Sequence, residues 1–273
     1  MEKSVQDKCK SLVMLLTAVC EVLGGLVLVQ FSKSGHFSLA LSGAVVTSIG
    51  MHALGLAQHE SFHRLLFKSP KLNDNVGRVL CSWFLFTQFA PLKRLHLAHH
   101  RGFGLTADPD RWHWDGQRNS RQSLGLLFQI LLFRRIWFFG DIVGGGKQRR
   151  LMSAEFPWII LVQASICVSI VVFAGPMVYF VGWFVPLFSL MPLLEHVRVV
   201  AEHHQTALRV FVSPNPIERW VFGRFGFASH GYHHKDPRLR WFELSKESSP
   251  DGDSSPLIVN AHSWLREFAW AMR

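Results

Sequence analysis

Four stretches of this chain are apolar and almost free of charge. Leu12 to Phe31 holds only Glu21, while Phe37 to Ala57, Phe156 to Ala174 and Met177 to Leu194 hold no charged residue. Each runs for about 18–21 residues, roughly 27–32 Å as a helix, which matches a bilayer core of about 30 Å. Long buried helices of a water-soluble core are the alternative, and four such runs in one chain disfavour it. The pattern predicts an all-α, multi-pass membrane protein with spans at 12–31, 37–57, 156–174 and 177–194. Short breaks at Ser32 to His36 and at Gly175-Pro176 pair the spans into two transmembrane helical hairpins.

Two further apolar stretches are too short or too charged to cross. Val79 to Leu92 is brief and ends at Pro91, and Leu124 to Phe139 is interrupted by Arg134 and Arg135. Each arginine would cost about 2.5–3.5 kcal/mol at a membrane centre. Both stretches read as helices lying at the surface or packed on protein. Residues 58–155 and 195–273 then form a helical cap, and the whole of 1–273 reads as one domain.

Lysine and arginine placement sets the orientation. Three basic residues precede the first span, Lys33 lies in the first short turn, fifteen lie between the hairpins and ten follow the second. All but one of the 29 therefore fall on one side, which is the cytoplasmic side, with both termini. The net charge of +10 has its explanation in this asymmetry. No basic nucleic-acid motif accompanies it, so anionic headgroups or an acidic electron donor suit it better. The four cysteines show no CxxC spacing and read as packing residues. The first apolar run is longer than a signal-peptide core and lacks a cleavage site, so it reads as a retained anchor.

The chemistry is concentrated in three histidine clusters outside the predicted spans: His59-Glu60-Ser61-Phe62-His63, His96-Leu97-Ala98-His99-His100 and His230-Gly231-Tyr232-His233-His234. The first sets two imidazoles at i and i+4, and the others set three at i, i+3 and i+4. On a helix these offsets share one face, with Cβ atoms about 5–6 Å apart. Rings so placed can meet at one metal, whose bond to nitrogen is about 2.0–2.1 Å for zinc. One such histidine alone is ordinarily a surface or core residue; the repeated pattern makes metal ligation the reading for the set. Eight imidazoles exceed one tetrahedral ion and ask for two metals.

Near the end of the fourth span comes Val200-Ala201-Glu202-His203-His204. His203 offers either a ninth ligand or a surface imidazole, and His204 a supporting group or a surface residue. His52 shares a helix face with His59 and His63 but lies inside a span. His36, His113, His196 and His262 have no clustered partner. A ligating imidazole usually donates its other N–H to a carboxylate or carbonyl. Glu60, Asp108, Asp110, Glu195 and Glu202 stand close enough in sequence to serve, with solvated surface charge as the alternative.

With HxxxH at His59 and His63, and HxxHH at both His96, His99, His100 and His230, His233, His234, the chain resembles the integral-membrane fatty-acid desaturase and hydroxylase superfamily. Asp108-Pro109-Asp110 and Ala201-Glu202-His203 look like family features too, and with the hairpins the resemblance covers nearly the whole chain. Ser229 stands where an Asn commonly precedes the third box. The resemblance implies a non-haem di-iron centre held mainly by histidine, with His203 matching a further ligand. It implies O2 as co-substrate, a lipid acyl substrate, and electrons from a separate carrier of ferredoxin or cytochrome b5 type. An acyl-chain desaturase is the leading expectation. A lipid or carotenoid hydroxylase or ketolase would use the same boxes. An intramembrane zinc protease would use His59-Glu60-x-x-His63 with Glu60 as general base, but leaves both HxxHH groups without a role. A metal carrier would more naturally spread its ligands through the spans.

Overall fold

The computed structural model describes residues 2–32, 35–103, 105–110, 120–132, 154–203 and 216–244. Among them there is helix and turn but no strand. Among the described residues four helices are long and apolar enough to cross a membrane: Cys9–Phe31, Phe37–Phe62, Phe156–Ala174 and Pro176–Val199. The expected membrane protein with four spans is what the chain forms. Lys33 and much of the expected cap, including His113, His204 and His262, lie outside the described residues.

Helices α1 (Glu2–Phe31) and α2 (Phe37–Phe62) form the first hairpin. They touch backbone to backbone. A Cβ added at Gly25 would meet the Thr47 hydroxyl at 2.2 Å and the Gly43 carbonyl at 2.6 Å. Lipid tails provide no hydrophobic drive for two helices to associate, so close packing through small residues does that work here. Beyond the expected end at Ala57, α2 continues to Phe62 and is buried along its last turns. A short helix, α3 (Pro70–Val76), follows, with Ser69 as N-cap and Pro70 in its first turn.

Val79 to Leu92 does not form the single helix expected at the surface or against protein. It is a π-helical stretch, Gly77–Trp83, and then a turn. Helix α4 (Phe89–Gly102) begins before Pro91, so this proline opens a helix instead of ending one. Of Leu124 to Phe139, the part through Leu131 belongs to α5 (Ser120–Leu131), and residues 133–139 lie outside the described residues. It packs on the fourth span, where the Ser189 hydroxyl donates to the Leu131 carbonyl at 3.1 Å.

The third span, α6 (Phe156–Ala174), turns at Gly175, whose φ of 92° places it in the left-handed region. The fourth span starts as α7 (Pro176–Tyr179), widens into π-helical Phe180–Phe184 and Pro186–Leu190, and resumes as α8 (Met191–His203). Pro186 lacks the N–H that an α-helix would use there, and the local widening accommodates it. Gln163 ties the third span inward. Its amide donates to the Trp83 and Phe84 carbonyls at 2.8 and 2.9 Å and accepts from the Trp183 indole at 3.2 Å. A polar side chain in an apolar span needs such partners.

The core lies between α1, α2 and the fourth span, with Met14, Ala18, Met51, Leu54, Trp183, Leu187 and Met191 packed together. After residue 215 come α9 (Pro216–Val221), a kinked turn at Arg224–Ser229, α10 (His230–Lys235) and α11 (Trp241–Leu244). They fold back along α2 from the level of Ile49 to its end. The histidines therefore meet directly above the apolar core.

Candidate metal centre

Each histidine box is delivered by a local device. Helix α2 carries His59 in its last turn and stops at His63. There Arg64 takes a left-handed conformation (φ 61°), the Leu65 N–H donates to the Glu60 carbonyl and the Arg64 N–H to the Ser61 carbonyl. This pair of bonds closes a helix C-terminus and turns the chain sharply. Buried Asn73 fixes the turn. Its carbonyl oxygen accepts from the Leu66 and Phe67 N–H groups, and its amide donates to the Ser61 carbonyl at 2.8 Å.

The second box rides on α4. The first turn of that helix has its N–H groups satisfied in trans by Glu155, just before the third span. The carboxylate accepts from the Phe89 N–H at 2.8 Å and the Ala90 N–H at 3.2 Å. A carboxylate at a helix N-terminus satisfies orphan donors and favours the helix dipole. The third box forms the short α10. Here the structure gives a six-residue helix with His230 and His233 buried.

Together these elements bring the boxes into contact. One ligating atom from each of His59, His63, His96, His100 and His233 lies within 4.8 Å of all the others. Within this group the Nε2 atoms of His63 and His96 are 2.7 Å apart, and those of His96 and His100 are 3.1 Å apart. The remaining three box histidines gather beside it. His99 Nε2 is 3.4 Å from His234 Nε2, which is 3.1 Å from His230 Nε2. The His100 and His234 rings stack at 4.4 Å, so the two groups adjoin.

This arrangement fits metal ions. His59 and His233 are 8% and 0% exposed; among the described residues no hydrogen bond reaches either ring nitrogen of His59, and the Leu239 backbone is the one partner of the His233 ring. Two imidazoles buried this way would be costly unless something takes their lone pairs. The electrostatics agree. Burial, aided by Lys93, lowers His63 to about 4; burial with His63 and His99 lowers His100 to about 3; burial with His63 and His100 lowers His233 to about 2. Burial holds His96 well below the ordinary range as well. At neutral pH these rings are neutral, the form that binds metal.

The carboxylates divide in their contacts. Asp108, 5% exposed, lies with Oδ1 2.8 Å from His99 Nδ1 and also accepts from the Asp110 N–H at 2.9 Å. It thereby leaves His99 Nε2 to face His234. Asp110 Oδ2 is 3.9 Å from His99 Nδ1, and burial raises this carboxyl to about 6. Glu202 pairs with Arg198, lies 3.8 Å from His230 Nε2 and is raised to about 7 by burial. Glu60 Oε2 accepts from the Trp241 N–H at 3.2 Å, and its other oxygen is 3.8 Å from His59 Nδ1.

His203 ends α8, and its side chain lies outside the described residues. His52 is buried within α2, edge-on to Phe222 at 6.2 Å, apart from both groups. Asn73 and Glu155 support the site without any signal in the box spacing. Only Asn and Glu in a turn and at a span's start mark them, and neither feature predicts a partner.

A family model described as fatty acid desaturase matches residues 36–250. Among curated proteins no match is found. The matched region runs from the first hairpin turn through all three histidine boxes, and the chain belongs to the fatty acid desaturase family.

Proposed function

We propose that this protein is an O2-dependent di-iron desaturase that introduces a double bond into a lipid acyl chain. Its electrons come from a separate carrier protein of ferredoxin or cytochrome b5 type. The observation that carries the proposal is the convergence of eight box histidines into two adjoining groups at the end of α2. His59, His63, His96, His100 and His233 would hold one iron, and His99, His230, His234 and His203 the other. Bound iron supplies the activation of O2 and the removal of hydrogen from an unactivated C–H bond, which side-chain acid–base chemistry cannot achieve. The balanced reaction converts –CH2–CH2–, O2, two electrons and two protons to –CH=CH– and two water molecules.

The protein's own part is positioning. Asp108 orients His99, and Glu155 and Asn73 hold the second box helix and the first box turn in place. The apolar core reaches the boxes through Phe227, whose ring lies 5.1 Å from that of His59, and an acyl chain would be aligned with the metal groups from this apolar side. The cap and both termini face the cytoplasm, following the basic residues.

Iron analysis of the purified protein tests the proposal. Two irons per chain are expected. A single zinc, or a variable load of mixed metals, would refute it in favour of a protease or a carrier. The same boxes serve hydroxylation, in which the product gains oxygen instead of losing hydrogen.

A further inference from the structure

The one charged residue between Leu12 and Phe31 has a specific partner. Glu21 Oε1 accepts from Arg224 Nη1 at 2.6 Å, and Arg224 Nη2 donates to the Ile49 carbonyl at 2.6 Å. Both side chains are largely buried, 13% and 8% exposed. Gly50 makes the room: a Cβ there would meet the Ala18 carbonyl at 2.8 Å and Glu21 Cβ at 2.9 Å.

The depth of this contact matters. Ile49 precedes His59 by ten residues of α2, roughly 15 Å along the helix axis. His230, only six residues after Arg224, sits with its ring 5.2 Å from that of His59. The chain therefore dips beside α1 and α2 to the level of Ile49 and climbs back to the boxes. His52 against Phe222 marks the same depth. The ascent is a tight kink. Phe225 and Gly226 have φ of 54° and 73°, and a Cβ at Gly226 would meet the Trp241 carbonyl at 2.1 Å. Trp241 is tied to α2 in turn, its N–H donating to Glu60.

We propose that the Arg224–Glu21 ion pair is a positioning latch, which anchors a re-entrant segment at the depth of Ile49 and so sets the third histidine box onto the other two. Removing one partner leaves the other charge buried and unpaired, which a membrane interior penalises. His233 belongs to the five-histidine group, while His230 and His234 are two of the three described members of the second. A released latch therefore costs the second group two of its ligands and the first group one of five.

This inference rests on the metal-site reading for its iron outcome but not for its structural one. Hydrogen exchange of the metal-free, full-length protein in micelles is the test, comparing wild type with E21L, E21D and G50V. In E21L and G50V, exchange should rise at least tenfold in peptides covering 222–234, with α4 unchanged, and E21D should restore most of the protection. After iron loading, E21L should hold about one iron per chain instead of two. A rise in exchange throughout the chain, or none within 222–234, would overturn the latch. If E21L does not accumulate, G50V tests the same contact from the opposite helix. Wild type without iron would sink the metal reading while leaving the exchange result to decide the latch.

Discussion

Replacing Asp108 separates the two histidine groups. Its carboxylate holds His99 Nδ1 at 2.8 Å and the Asp110 N–H at 2.9 Å, in a site only 5% exposed. D108A removes the acceptor that serves the buried His99 imidazole and the partly buried Asp110 N–H, each worth about 1–3 kcal/mol. Part of that cost falls on folding and part on metal binding. Carboxylates that orient a ligating histidine typically contribute about 10–100-fold in metal affinity, or about 1.4–2.7 kcal/mol. His99 belongs to the second group alone, so the loss should be confined there. Ferrous-iron titration of metal-free D108A should give two steps, one with unchanged affinity and one weakened about 10–100-fold. D108N keeps a carbonyl that accepts from His99 and should weaken the second step by about tenfold or less. Equal weakening of both steps, or of neither, would refute the assignment of His99 to a separate group.

Glu155 caps α4 in trans through the Phe89 and Ala90 N–H groups. E155A should therefore destabilise the protein by about 1–2 kcal/mol, read as a lower midpoint of thermal unfolding in detergent, with E155Q milder. The pH dependence of the metal-free protein follows from opposing shifts. His63, His96, His100 and His233 have lowered folded pKa values, so the unfolded chain takes up their protons first as pH falls below about 6.5. Each such ring removes up to about 1.4 kcal/mol of stability per pH unit. Asp110 and Glu202 have raised values, so their stabilisation is present at low pH and lost as pH rises through about 6 and 7. Four imidazoles outweigh two carboxylates, and thermal stability should fall between pH 6.5 and 5; a rise over that interval would contradict the buried, neutral state of the rings. Topology is tested by thiol labelling, where S34C should react from outside the cell and S120C should not.

The four spans were legible in the sequence because charge is expensive in a bilayer, and its absence over about 20 residues has few other causes. The boxes were legible because helical spacing makes neighbours of i, i+3 and i+4. On α4 that inference needed nothing else. The division of the boxes between two groups was not legible. It sends His96 and His100 one way and His99 another, which depends on how α4 is rotated against α2 and α10. The interruptions of the fourth span were hidden as well, since an apolar run does not report whether its turns are α or π. Glu21 was visible as the single charge in the first span, but its partner lies 203 residues away in a segment whose sequence reads as polar tail. Long-range polar contacts of this kind, like Glu155 at the start of α4, follow from tertiary packing and leave no local period.

The most direct test of the central claim is the mass of the product formed from a defined acyl lipid by the purified, iron-loaded protein with a reduced donor and O2. Loss of two hydrogens, abolished by omitting O2 or the donor and by H63A or H234A, is the predicted result. Gain of one oxygen would replace desaturation by hydroxylation at the same site, and turnover that persists without O2 or without iron would contradict the di-iron mechanism itself.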